Sequence, residues 1–118
     1  MLDMTREDAL RLWVRELRSG KYSQGRGSLL RNGKYCCLGV ICEELRVGKE
    51  LIDETDGSFL FGGESAYLPV VVRNFLELGF DIQEWLVYMN DSWRASFKQI
   101  ADFIEERLIE DKKPVENT

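Results

Sequence analysis

Residues 36–42, Cys-Cys-Leu-Gly-Val-Ile-Cys, contain no charged side chain, and they follow directly on the most basic stretch of the chain. A block this apolar has to be buried, because exposing it forfeits about 25 cal/mol per Å² of apolar surface. It is short and partly β-branched, which fits a buried strand. Leu38, Ile41, Cys42 and Leu45 also recur at i, i+3, i+4 and i+7, with Glu43 and Glu44 outside them. That spacing favours a helix over 36–46, with Gly39 as a close-packing point and Gly48 as its stop, while the strand alternative stays open.

The preceding segment, Arg18 to Tyr35, holds Arg18, Lys21, Arg26, Arg31 and Lys34 and no acidic residue. Residues 1–34 carry eight Lys/Arg and four Asp/Glu, and residues 35–118 carry eight and seventeen. An acidic chain with one basic loop can present a local positive site while remaining anionic elsewhere. Gly25 and Gly27 flank Arg26, so the backbone is free to close on a phosphate. Arginine offers bidentate contacts to such a group, and Tyr22 and Tyr35 offer stacking faces to a base. The candidate ligand-binding set is therefore Arg18, Lys21, Tyr22, Gly25, Arg26, Gly27, Arg31, Lys34 and Tyr35. The competing reading is a solvated surface loop, or one tied to the acidic half of the same chain. Gly25-Arg26-Gly27 has neither the length nor the Lys-Ser/Thr ending of a phosphate-binding P-loop, nor the dinucleotide-binding spacing.

Several function classes recede on composition. A net charge of −5 argues against a general nucleic-acid binder. There is no histidine, hence no imidazole base and no Ser-His or Cys-His pair. Cys36, Cys37 and Cys42 are an odd set without metal-ligand spacing, and free thiols in apolar surroundings suit a reducing, cytoplasmic compartment. Nothing calls for a cofactor or metal, and no apolar run approaches the roughly 18–20 residues of a membrane span. The polar start, MLDMTREDAL, is not a secretory signal.

Elsewhere the periodicity predicts helices. Thr5 with Glu7 and Asp8 opens one whose core stripe is Leu10, Trp13, Val14 and Leu17, stopped by Ser19-Gly20. Asn32-Gly33 signals a hairpin turn, and Asp56-Gly57 lies between Leu51-Ile52 and Phe59-Leu60-Phe61 in a second hairpin or an irregular flap. Pro69 leads a helix closing at Gly79. Asp81 and Glu84 read as a capping box before a stripe of Ile82, Trp85, Leu86 and Met89. Ser96 and Gln99 open the last helix, with Phe97, Ile100, Ala101, Ile104 and Leu108 inward. Asn90-Asp91 reads as a helix-terminating turn bonding nearby backbone rather than a catalytic or metal pair.

Three blocks, KYSQGRGSLLRNGKYCCLGVICEEL, YLPVVVRNFLELGF and MNDSWRASFKQIADFIEERL, resemble blocks that recur together in a group of small tailed-phage and prophage proteins. This chain departs from that pattern at Ser92-Trp93. The resemblance implies a shared fold and a phage origin, and brings no catalytic residues. The last block is also similar to the first helix of a helix-turn-helix, but few residues remain for a recognition helix, and Glu105 and Glu106 would repel phosphate. The expected fold is a single, mostly helical α+β domain over 1–110, with about four helices, one or two short hairpins and a polar tail at 111–118. The expected function is non-enzymatic capture of an anionic, nucleotide-like ligand, which in a phage context would sequester a bacterial immune signal. The alternatives are an inhibitor that docks a host protein through its acidic C-terminal half and, less favoured, a small acid/base hydrolase. Membrane and duplex DNA are excluded as partners at this level, and a homo-oligomer stays open.

Overall fold

Helix α1 (Arg6–Arg18) begins at a reciprocal capping box. The Thr5 side chain accepts from the Asp8 amide at 3.0 Å, and the Asp8 carboxylate accepts from the Thr5 amide. Leu10, Trp13, Val14 and Leu17 face inward, as their spacing predicts. The computed structural model describes residues 4–109, so the predicted tail at 111–118 lies outside the described residues. Among the described residues, five helices and a four-stranded antiparallel sheet make a mostly helical α+β fold.

The apolar block becomes helix α2 (Cys37–Glu44), buried from Cys37 through Cys42, which resolves the helix-or-strand ambiguity. Its first six residues are apolar on every side, and such a segment belongs in the interior. It packs against α1, where Trp13 donates its indole N–H to the Cys37 carbonyl at 2.9 Å. Gly39 is where the Leu29 backbone crosses: a Cβ there would lie 1.9 Å from the Leu29 carbonyl oxygen. The helix does not run on to Gly48. Arg46 takes the left-handed turn itself at φ 60°, and Val47 donates back to the Cys42 carbonyl.

Strands β1 (Leu30–Arg31) and β2 (Lys34–Tyr35) form the predicted hairpin, with Asn32 and Gly33 both at positive φ, as a tight two-residue turn requires. Strands β3 (Lys49–Asp53) and β4 (Ser58–Phe61) form the second. The two are not separate. Arg31 pairs with Ser58, giving one sheet in the order β2-β1-β4-β3.

Helix α3 (Val70–Leu76) follows Pro69 and closes through Glu77 in the left-handed conformation rather than at Gly79. Gly79 instead precedes helix α4 (Phe80–Asp91), which has no side-chain cap, so Asp81 and Glu84 do not form the expected box. Helix α5 (Phe97–Leu108) starts at the predicted Ser96–Gln99 capping box and lies along α1. Its Phe97, Ile100, Ala101 and Ile104 join a single core with α1, α2 and the inner faces of α3 and α4, while Leu108 is half-buried. Among the described residues no helix is long and apolar enough to cross a membrane.

Candidate functional site

The basic loop leaves α1 at Ser19 and returns as the β1–β2 hairpin, and its cations do not converge on one point. Arg18 turns away toward α5, where one guanidinium nitrogen meets Asp102 at 2.7 Å and Glu105 at 2.9 Å. Those hydrogen bonds, Glu105 first, raise its pKa further. Lys21 bridges Glu44 at 2.8 Å and Glu16 at 3.0 Å. The two tyrosines are engaged as well. Tyr22 donates its hydroxyl to Glu44, Tyr35 donates to Glu43 at 3.2 Å, and their rings meet edge to face at 4.8 Å. Burial, then the neighbouring glutamates, pushes both phenols up, Tyr35 to about 12. Burial alone would raise the Glu44 carboxyl, but hydrogen bonds from Lys21 and Tyr22 outweigh it and hold the group below its ordinary range.

Arg18, Lys21, Tyr22 and Tyr35 are thus tied to the chain's own carboxylates. Arg26, Arg31 and Lys34 are not. No ion pair to any of the three is found among the described residues. Arg31 and Lys34 are direct cross-strand partners in the hairpin, a placement that like charges disfavour. Arg31 donates to the Arg26 backbone carbonyl at 3.3 Å, which brings the main chain of Arg26 beside the pair. Arg26 Nε is the one buried side-chain nitrogen or oxygen among the described residues without a hydrogen-bond partner.

The flanking glycines serve reasons other than those expected. The Gly25 amide already donates to the Tyr35 carbonyl at 2.7 Å, and a Cβ on Gly25 would lie 2.7 Å from that of Lys34. Its amide is therefore closed to a ligand. Gly27 sits at φ 87°, where a side chain would be strained.

Asn90 holds this loop in place. It is fully buried on α4, and its Oδ1 accepts from the Cys37 amide at 3.2 Å and from Gln24 Nε2 at 2.9 Å. Its Nδ2 donates to the Gly25 carbonyl and to Asp91, both at 2.8 Å. Gln24 donates on to the Ala95 carbonyl at 2.9 Å. The reading of Asn90-Asp91 as a local turn is therefore corrected for Asn90: two of its bonds reach backbone 53 and 65 positions away.

The three cysteines are free and buried. Burial pushes Cys36 up to about 11 and raises Cys37 and Cys42 as well, so none is poised as a nucleophile near neutral pH. No group of three or more His, Cys, Asp or Glu placed to hold a metal occurs among the described residues.

Fold and site together define a small, mostly helical α+β protein carrying an unpaired cationic hairpin pinned by a buried asparagine. The chain belongs to the family described as Domain of unknown function (DUF8296), whose pattern matches residues 6–108. No curated protein and no solved structure matches it.

Proposed function

We propose that this protein is a non-enzymatic binder of a phosphate-bearing anion, held by Arg26, Arg31 and Lys34. The orphaned Arg26 Nε, on a residue whose backbone Arg31 holds, together with the unpaired Arg31–Lys34 couple, carries the reading. A buried polar nitrogen without a partner is costly, and an oxyanion would satisfy it while relieving the repulsion of the facing cations. The site is smaller than the nine-residue set that the sequence suggests, and Tyr22 and Tyr35 serve to shape the loop rather than to stack on a base. A nucleotide-like ligand, and the sequestration of an immune signal in a phage context, follow from the resemblance together with this charge pattern.

Calorimetry against inorganic phosphate and mono-, di- and cyclic nucleotides, at low and high salt, tests the proposal. Losing one charge-assisted contact costs about 1.5–3 kcal/mol, roughly tenfold to a hundredfold in affinity. Arg31→Ala with Lys34→Ala is expected to abolish binding, and Arg26→Ala to weaken it, while Lys98→Ala on exposed α5 surface changes nothing. Binding to none of these anions, or binding that survives the double substitution, overturns the site.

A further inference from the structure

Helix α4 carries a second surface, independent of the hairpin. Its buried stripe is Gln83, Leu86, Met89 and Asn90. The opposite stripe, at helical spacing, is Asp81, Glu84, Trp85, Tyr88 and Asp91. The stripe predicted as core therefore holds for Leu86 and Met89 but not for Trp85, which is 39% exposed beside Tyr88 at 44% and Trp93 at 56%. These three rings hold one another at 5.1–5.7 Å between centroids instead of entering the core. Trp85 and Tyr88 line, with Tyr67, a groove of about 620 Å³ whose charged residues are Asp81, Glu84 and Asp91, and Trp93 packs on the two rings beside it. No ion pair to these three carboxylates is found among the described residues.

We propose that this acidic aromatic groove docks an extended, arginine-bearing segment of a partner protein. Two requirements meet only in such an occupant. An uncharged apolar partner would bury three carboxylates without compensation, and an acidic one would be repelled. A guanidinium satisfies both features at once, pairing a carboxylate through its edge while its plane lies on a tryptophan or tyrosine ring. Length argues for a segment rather than a single amine. Asp81 and Asp91 are separated by about 15 Å along the helix, roughly the span of five residues of extended chain. The contiguous exposed aromatic surface is of the kind that marks an interaction site.

The test is tryptophan fluorescence of the full chain, since Trp13 is buried and Trp85 and Trp93 report the groove. The probes are capped hexa-arginine, hexa-lysine and hexa-glutamate peptides at about 150 mM salt, where surface charges are screened beyond roughly 8 Å. Hexa-arginine is expected to give a saturable change, hexa-lysine a weaker one for want of a planar cation, and hexa-glutamate none. Trp85→Ala, and separately Asp81→Asn with Glu84→Gln, should each weaken hexa-arginine about tenfold or more. Glu50→Gln with Glu54→Gln removes the same charge from the β3–β4 hairpin and should leave affinity unchanged. The proposal falls if hexa-arginine does not saturate, or if the hairpin pair weakens it as much as the groove pair does. It also falls if sedimentation finds a dimer that Trp85→Ala dissociates, because a second copy is then the occupant. None of these outcomes bears on phosphate binding at the hairpin, so the two proposals fail separately.

Discussion

Replacing Asn90 by alanine removes the amide that ties helix α4 to the start of α2 and to the basic loop. Four hydrogen bonds go with it, but they are not equal. Gln24 keeps the Ala95 carbonyl, and Asp91, at the end of the helix, is half-buried. The Cys37 amide and the Gly25 carbonyl lose a partner that the alanine methyl cannot replace. Leaving a buried polar group unsatisfied costs about 1–3 kcal/mol, and the Gly25 carbonyl is only part-buried, so together they predict a loss of about 2–5 kcal/mol. A domain of this size is stabilised by about 5–15 kcal/mol in all, and each kcal/mol lost shifts the melting temperature by about 4 °C, so it should fall by about 8–20 °C. Thermal and urea unfolding followed by circular dichroism measure this. Asn90→Asp separates hydrogen bonding from volume. It keeps an acceptor for Cys37 but sets a carboxylate against the Gly25 carbonyl and Asp91, so it should be at least as destabilising at neutral pH. Acid should then relieve it, as protonation restores a donor. If Asn90→Ala lowers the melting temperature by less than about 3 °C, the network is not what holds the loop to the helix.

The Gly39→Ala variant gains helix propensity but drives a Cβ into the Leu29 carbonyl, so urea unfolding should show a loss of about 3 kcal/mol or more. Arg18→Ala breaks two exposed ion pairs to α5 and should cost less than about 1 kcal/mol by the same measurement, with phosphate affinity unchanged. The three thiols and the phenols of Tyr22 and Tyr35 titrate higher in the fold than their ordinary values of 9.0 and 10.0. The unfolded chain therefore releases those protons first: stability is intact below about pH 9 and declines as pH rises through 11, readable in melts across that range. A thiol-specific reagent at pH 8 should find no reactive cysteine until denaturant exposes all three. Glu44 has the opposite sign. Its contribution is present above its ordinary 4.5 and lost as pH falls through its lowered folded value, so the melting-temperature gap between the wild type and Glu44→Gln should narrow in acid.

What the sequence determined by itself is what residues within four positions of one another decide. The capping boxes at Thr5 and Ser96, the Asn32-Gly33 turn and the inward stripes of α1 and α5 all come from such local relations. Helix ends were less legible. Arg46 and Glu77 adopt the left-handed conformation, although glycines stood two residues further on. The outer face of α4 carried a signal in the spacing of Asp81, Glu84, Tyr88 and Asp91. Trp85 hid it, because its size and hydrophobicity suit a core position and periodicity does not say which of two adjacent stripes faces in. Only the tertiary structure divided the basic loop. The carboxylates that engage Arg18 and Lys21 are contributed by α1, α2 and α5, and those for Arg18 lie 84 and 87 positions along the chain. Three of the four partners of Asn90 lie 53, 65 and 66 positions away. An ion pair is set by where the backbone brings two charges in space, and a count of charges along a sequence contains no such distance, so which cations stay unpaired is decided by the folded path alone.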